Sequence, residues 1–290
     1  MSKFRGVKYR GGYHDFAIRT GGVIIYPRLV ASEHRNEFSP QRMASGLVEV
    51  DSLLGGGIDR GTSTLIMGPA GCGKSALATH YVTAAAERGE KAAMFIFDES
   101  RATLFARSRA MKMDLAQHVA SGAVSIQQVD PAEIPPGEFV HLVRTAVEKR
   151  QISILLIDSL NGYMNAMPEE RFLTIQMHEM LTYLGQKGVA TILVVAQHGV
   201  LGHSMLTPVD VSYLADCVIL LRYYEHAGEI GKAISVVKKR SGTHEKSIRP
   251  LSFGPEGLSV GEPMREFHGI LSGTPLVDGN ANLSSDQQAS

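Results

Sequence analysis

The stretch Gly68-Pro69-Ala70-Gly71-Cys72-Gly73-Lys74-Ser75 constrains this chain more than any other. It follows the apolar run Ser63–Met67 and leads into Ala76–Val82, which reads as a helix. Strand, glycine-rich turn, Gly-Lys-Ser and helix, in that order, make a phosphate-binding P-loop. Gly71 and Gly73 let backbone N–H groups turn inward around phosphate oxygens, and the helix aims its positive end at them. Gly68, Cys72 and Ala76 complete the expected cradle. Lys74 would reach the β- and γ-phosphates, and the Ser75 hydroxyl would ligate Mg²⁺. The expected ligands are therefore a nucleoside triphosphate and Mg²⁺.

Around that loop the pattern alternates. Apolar runs at Ala92–Phe97, Ala123–Gln128, Ile152–Ile157 and Ala190–Ala196 are short and rich in β-branched or aromatic residues. Helical stretches separate them, among them Glu138–Lys149 and Glu170–Gln186, the latter with Phe172, Ile175, Met180 and Leu184 as its apolar stripe. This alternation predicts an α/β fold, a mostly parallel sheet covered on both faces. Val48–Gly57 reads as an apolar lead into the P-loop strand. Cys217–Tyr224 and Lys232–Lys239 are expected to form an antiparallel pair that ends the sheet. The domain expectation is a lead-in over 1–45, an ATPase domain over 46–255 and an extension over 256–290 whose last residues, 279–288, read as a disordered polar tail. In the lead-in, Phe16–Arg19 and Val23–Tyr26 flank Thr20-Gly21-Gly22 and predict a hairpin, packed on the core or on a neighbouring subunit.

Composition excludes some classes. Lys and Arg total 29 and Asp and Glu total 29, so the zero net charge argues against a dedicated nucleic-acid binder. Cys72 and Cys217 are the only cysteines and read as reduced thiols. No apolar run reaches membrane-spanning length, and the basic start carries no signal-peptide core, so a cytoplasmic location is expected.

The remaining site residues are expected at strand ends. Asp158, after Ile154–Ile157, would hold Mg²⁺; as an alternative, the Asp-Ser turn caps a helix, a role Ser159 or Asn161 serves equally well. Asp98 and Glu99, after Met94–Phe97, are candidates to orient or deprotonate the attacking water, against a capping role for Glu99-Ser100. Gln197 and His198 would sense the γ-phosphate or simply form a turn. Lys238, Lys239 and Arg240 read on their own as a solvated edge.

The motifs taken together resemble a known family. They run LLGGG, GPAGCGKS, FIFDESRATL, LLIDSL, VVAQHG, LADCVILLRYYE and ISVVKKRSGTHEKSIRPLSF. This series is similar to the KaiC family of RecA-like ATPases and autokinases, from about Phe4 to Gly261. KaiC has two tandem copies of this domain, and the lead-in resembles the segment that joins them, so the chain resembles the second, kinase-bearing copy. The resemblance implies a RecA-like fold and a hexameric ring with ATP between subunits, with Lys238 and Arg240 reaching the neighbouring subunit's γ-phosphate. It also implies that Asp98 stands where the family has Glu, retracting that carboxylate by about one carbon–carbon bond. The phosphoacceptors would fall on Ser212, beside Tyr213, and on Thr207. KaiB-like partners follow from the same likeness, and a sensor kinase is the partner to which an ATP-gated scaffold would present a surface. Two other classes are a RecA- or RadA-like DNA-dependent ATPase, although the candidate strand-contacting loop Gly199–Asp210 has no Lys or Arg, and an ATP-gated scaffold.

Overall fold

The computed structural model describes residues 11–34, 37–164, 170–197, 214–254, 257–270 and 276–277. Ser212, Thr207, Tyr213, His198, the loop 199–210 and the tail 279–288 therefore lie outside the described residues.

The chain starts with the hairpin, β1 (Asp15–Arg19) and β2 (Gly22–Tyr26), turned at Thr20-Gly21. A short ribbon, β3 (Arg42–Met43) with β4 (Ile58–Asp59), frames the helix α1 (Val48–Leu53). Within the apolar lead into the P-loop strand, Val48–Leu53 is thus helical. Its spacing explains why: Val50, Leu53 and Leu54 are buried on one side while Val48 is exposed, and the Asp51 carboxylate accepts the Ser45 N–H at 2.8 Å.

The core then follows as β5 (Ser63–Gly68), α2 (Lys74–Glu87), β6 (Ala92–Ile96), α3 (Arg101–Ala110), α4 (Leu115–Ala120), β7 (Val124–Gln128), α5 (Pro136–Arg150), β8 (Ile154–Asp158), α6 (Leu160–Met164), α7 (Glu170–Gln186) and β9 (Ala190–Ala196). Next come β10 (Cys217–His226), β11 (Glu229–Lys239), β12 (Arg249–Gly254) and β13 (Gly257–Val260), with a small pair β14 (Phe267–His268) and β15 (Leu276–Val277). The main sheet has nine strands, in the order β13-β12-β11-β10-β5-β9-β8-β6-β7. From β10 to β7 all pairings are parallel; from β10 to β13 they are antiparallel. The pair β10–β11 thus does not end the sheet. Two more strands extend it, and β13 lies in the stretch expected to be an irregular extension.

Strand alternation divides the core into two layers. Ile66, Met94, Leu156 and Val194 join α1, α2 and α4 on one face, while Leu65, Phe95, Leu155 and Val195 join α5 and α7 on the other. On α7 the buried stripe is Leu173, Met177, Met180 and Leu184. Ile175, expected on that stripe, is 48 % exposed. The 3.6-residue period places Leu173 and Met177 inward and turns Ile175 away from both.

The hairpin rests on α5. Arg19 pairs with Glu138 at 2.6 Å, and the Asp15 carboxylate accepts the Gly137 N–H at 2.6 Å. Its outer face, carrying Phe16, Ile18, Val23 and Ile25, is exposed.

Candidate active site

The P-loop spans the end of β5 and the start of α2, and other parts of the chain fix its shape. Gly73 precedes the helix in the left-handed region at φ 107°, where a Cβ would lie 2.1 Å from the Phe253 ring. A Cβ on Gly68 would lie 2.4 Å from the Leu221 carbonyl oxygen. The Tyr223 hydroxyl donates to the Ala70 carbonyl at 3.0 Å. Strands β10 and β12 therefore mould the loop from behind, and α2 starts without a side-chain cap, its first N–H groups facing the loop's concavity.

A cleft of about 660 Å³ opens in front of this loop. Its wall brings together Gly71, Gly73, Lys74, Ser75 and Ala76 with Asp98, Glu99 and Asp158. Parallel strands explain the meeting: β6 and β8 run alongside each other, with Ile96 level with Asp158, so both strand ends deliver carboxylates to the same edge. Gly68 and Cys72 are not on that wall. Cys72 is fully buried beneath the loop, and its thiol is pushed up by burial.

Lys74 is buried, its Nζ donating to the Pro69 carbonyl at 2.7 Å. Burial pulls its pKa down, and the nearby Cys72 sulfur and Asp158 carboxylate partly counter this. Burial likewise pushes Asp158 up, while a hydrogen bond from Ser75 and the charge of Arg107 oppose the shift. The Ser75 hydroxyl and the Asp158 carboxylate are thus adjacent oxygen donors at the mouth of the loop. That donor set suits a hard divalent cation such as Mg²⁺.

Each remaining carboxylate has a partner. Ser159 donates its hydroxyl to Asp98 at 2.5 Å, and Arg107 forks onto Glu99 at 2.6 and 3.2 Å. The capping role read for Glu99-Ser100 falls to Ser100, which caps α3 by accepting the Thr103 N–H at 3.1 Å, and leaves the Glu99 carboxylate in the cleft. Asn161 does not cap either. It clasps Ala196, donating to its carbonyl at 3.0 Å and accepting its N–H at 2.7 Å. Gln197 is buried beside the loop, its N–H bonded to the Gly68 carbonyl at 3.0 Å.

Lys238 and Arg240 lie elsewhere. The β10–β11 register puts Lys238 opposite Val218 and Lys239 opposite Cys217, which itself lies level with Thr64 at the start of β5. Arg240 pairs with Asp216 at 3.1 Å, and Asp216 accepts the Ser63 N–H at 3.0 Å. A strand of six residues, roughly 20 Å, separates this edge from the chain's own P-loop. Lys239, within the run read as a solvated edge, is instead buried on Asp59.

The family model described as "ATPase: KaiC" matches residues 43–265, so it takes in the P-loop, both strand-end carboxylate sites and the basic edge. This chain belongs to the KaiC family. Among similar proteins, the circadian clock protein KaiC3 of Synechocystis sp. is 28 % identical over 287 residues, 97 % of this chain and 55 % of that protein. The circadian clock oscillator protein KaiC of Synechococcus elongatus is 27 % identical over 285 residues, 97 % of this chain and 54 % of that protein. The chain spans about half the length of the curated relatives it matches. No described helix is long and apolar enough to cross a membrane.

Against this KaiC-family frame, sequence reading gave no site role to the cleft residues Arg107, Lys232 and Phe253. Lys232 Nζ stands 4.5 Å from the Phe253 ring centroid, closing the cleft from β11 and β12. Lys232 lies outside every motif, and Phe253, the last residue of ISVVKKRSGTHEKSIRPLSF, carries no phosphate-binding signal; the register of an antiparallel pair brings both to the loop. Arg107 had a signal, eight residues after Glu99 on a helix capped at Ser100.

Proposed function

We propose that this chain binds Mg·ATP in the P-loop cleft and hydrolyses it, with the site completed by a second copy of the chain. The observation that carries this reading is the convergence of Lys74, Ser75, Asp98, Glu99 and Asp158 on one cleft. Ser75 and Asp158 would hold Mg²⁺, which when bound supplies positive charge against the phosphates. Lys74 and the loop N–H groups would bind and orient the β- and γ-phosphates. A water oxygen then attacks the γ-phosphorus, and the bond from that phosphorus to the β–γ bridging oxygen breaks. ADP leaves, and Glu99, aided by Asp98, takes the water's proton. Lys238 and Arg240 lie too far away to serve their own loop. We assign them to the neighbour's γ-phosphate in a ring, for which a hexamer is the expected order.

On the same reading the neighbour's ATP also phosphorylates Ser212 or Thr207, and the protein acts as a cytoplasmic signalling or timing switch with KaiB-like or sensor-kinase partners. The circadian names of the relatives support that reading. Intact-protein mass spectrometry after incubation with Mg·ATP tests it. We expect a phosphate on the wild type that is lost in Ser212→Ala; a phosphate that stays moves the acceptor to Thr207 or Tyr213. ADP production without any phosphate would leave an ATPase switch and remove the kinase.

A further inference from the structure

Arg107 lines the nucleotide cleft and has no part in the scheme above. Its position is fixed from the sequence upward. Ser100 caps α3, Leu104 and Ser108 bury the helix's inner face, and Arg107 projects two turns in, toward the carboxylates. Its Nε and Nη2 bond the two Glu99 oxygens at 3.2 and 2.6 Å. Its third nitrogen, Nη1, is buried and has no hydrogen-bond partner among the described residues. The same guanidinium acts on the charge of Asp158. A permanent cation thus acts on both the candidate base and the candidate metal ligand, with one whole nitrogen unused.

A buried donor without an acceptor is costly, and a planar guanidinium binds carboxylate and phosphate oxygens through several N–H groups at once. The terminal phosphate of a nucleoside triphosphate offers three oxygens and more charge than a carboxylate. We propose that Arg107 is a γ-phosphate ligand supplied within the chain, which restrains Glu99 until a triphosphate enters the cleft. Its N–H bonds then pass from the Glu99 carboxylate to the γ-phosphate oxygens, and Glu99 is released to orient water. A diphosphate has no γ-phosphate and leaves the Arg107–Glu99 pair closed. Arg107 is therefore what separates triphosphate from diphosphate, and it prevents Glu99 from acting in an ADP-filled site. This inference rests on the ATP-site reading.

Calorimetric titration of the full chain with Mg·ADP and with a Mg-bound β,γ-imido ATP analogue tests it. Arg107→Gln should weaken the analogue by about tenfold or more while ADP affinity stays within about twofold. Glu99→Gln, which unlocks the guanidinium, should tighten the analogue several-fold, and the double variant should lose that gain. Arg107→Lys, which keeps the charge without the fork, should fall between wild type and Arg107→Gln; it takes over the test if Arg107→Gln fails to fold by thermal melting. An unchanged ratio of the two affinities, or equal weakening of both nucleotides, overturns the inference and leaves the ATP site standing. A wild type that binds neither nucleotide overturns both.

Discussion

The side chains of Lys74 and Lys239 are both buried, and their surroundings differ. Lys239, its side chain 1 % exposed, sits at the end of β11 with its Nζ 3.4 Å from the Asp59 carboxylate and bonded to the Leu54 and Gly57 carbonyls. Its charge is matched and its donors are used. Lys74 is 7 % exposed and bonds one carbonyl, with a sulfur 3.9 Å away and its pKa pulled down by burial. A buried ammonium is tolerated when it is paired, so an underpaired one marks a place prepared for an anion. One lysine holds the fold together, and the other is held ready by it.

Substitution should separate the two. Lys74→Ala should lower ATP turnover on the order of 10²–10³-fold or more, with denaturant stability equal to or above wild type. Lys239→Met should instead cost about 1–3 kcal/mol, because it leaves the Leu54 and Gly57 carbonyls without their donor and takes one cation from Asp59, which keeps Ser241 and Arg42; urea unfolding measures this, and nucleotide affinity of the folded fraction should not change. If Lys74→Ala proved the more destabilising of the two, the contrast would collapse.

Further substitutions sharpen the same division. Gly73→Ala forces a side chain into left-handed backbone against Phe253, costing roughly 1–3 kcal/mol and, by titration with a fluorescent ATP analogue, most of the nucleotide affinity. Asn161→Ala removes the clasp on Ala196 and should cost about 1–3 kcal/mol, seen in the melting temperature, with little change in nucleotide affinity. The smallest effect is a pH dependence. Burial lowers the pKa of His80 on α2, and its Nε2 has no hydrogen-bond partner among the described residues. The unfolded chain therefore takes up the proton first. This contribution to stability is complete above the unfolded pKa of about 6.5 and is lost as pH falls toward the folded value. His80→Leu should flatten the stability profile in that window, and an unchanged profile would remove His80 from the account.

The elements that carry short-range signals were legible in the sequence. Strand β9 and helix α7 have the bounds their apolar patterns give, and the P-loop, Asp98, Glu99 and Asp158 meet because parallel strands end on one edge. Features set by long-range register were not. Strands β12 and β13 have little periodicity of their own and are strands because β11 offers an edge. Phe253 and Tyr223 shape a loop more than 150 residues earlier in the chain, a relation no local spacing encodes. Val48–Leu53 has the composition of a strand, and the burial of Val50, Leu53 and Leu54 decides for a helix. The basic run was ambiguous because its members diverge: Lys239 faces the core, while Arg240 is 56 % exposed on Asp216.

The central claim is that one chain supplies half a site and its neighbour the other half. Mixing two inactive variants tests it most directly. Glu99→Gln keeps the basic edge and lacks the base, while Arg240→Ala keeps the cleft and lacks the trans cation. Combined in equal amounts with Mg·ATP, they should recover about one quarter of wild-type turnover, since random assembly joins two intact halves at about one interface in four. A mixture no more active than the mean of its two components would contradict the shared site.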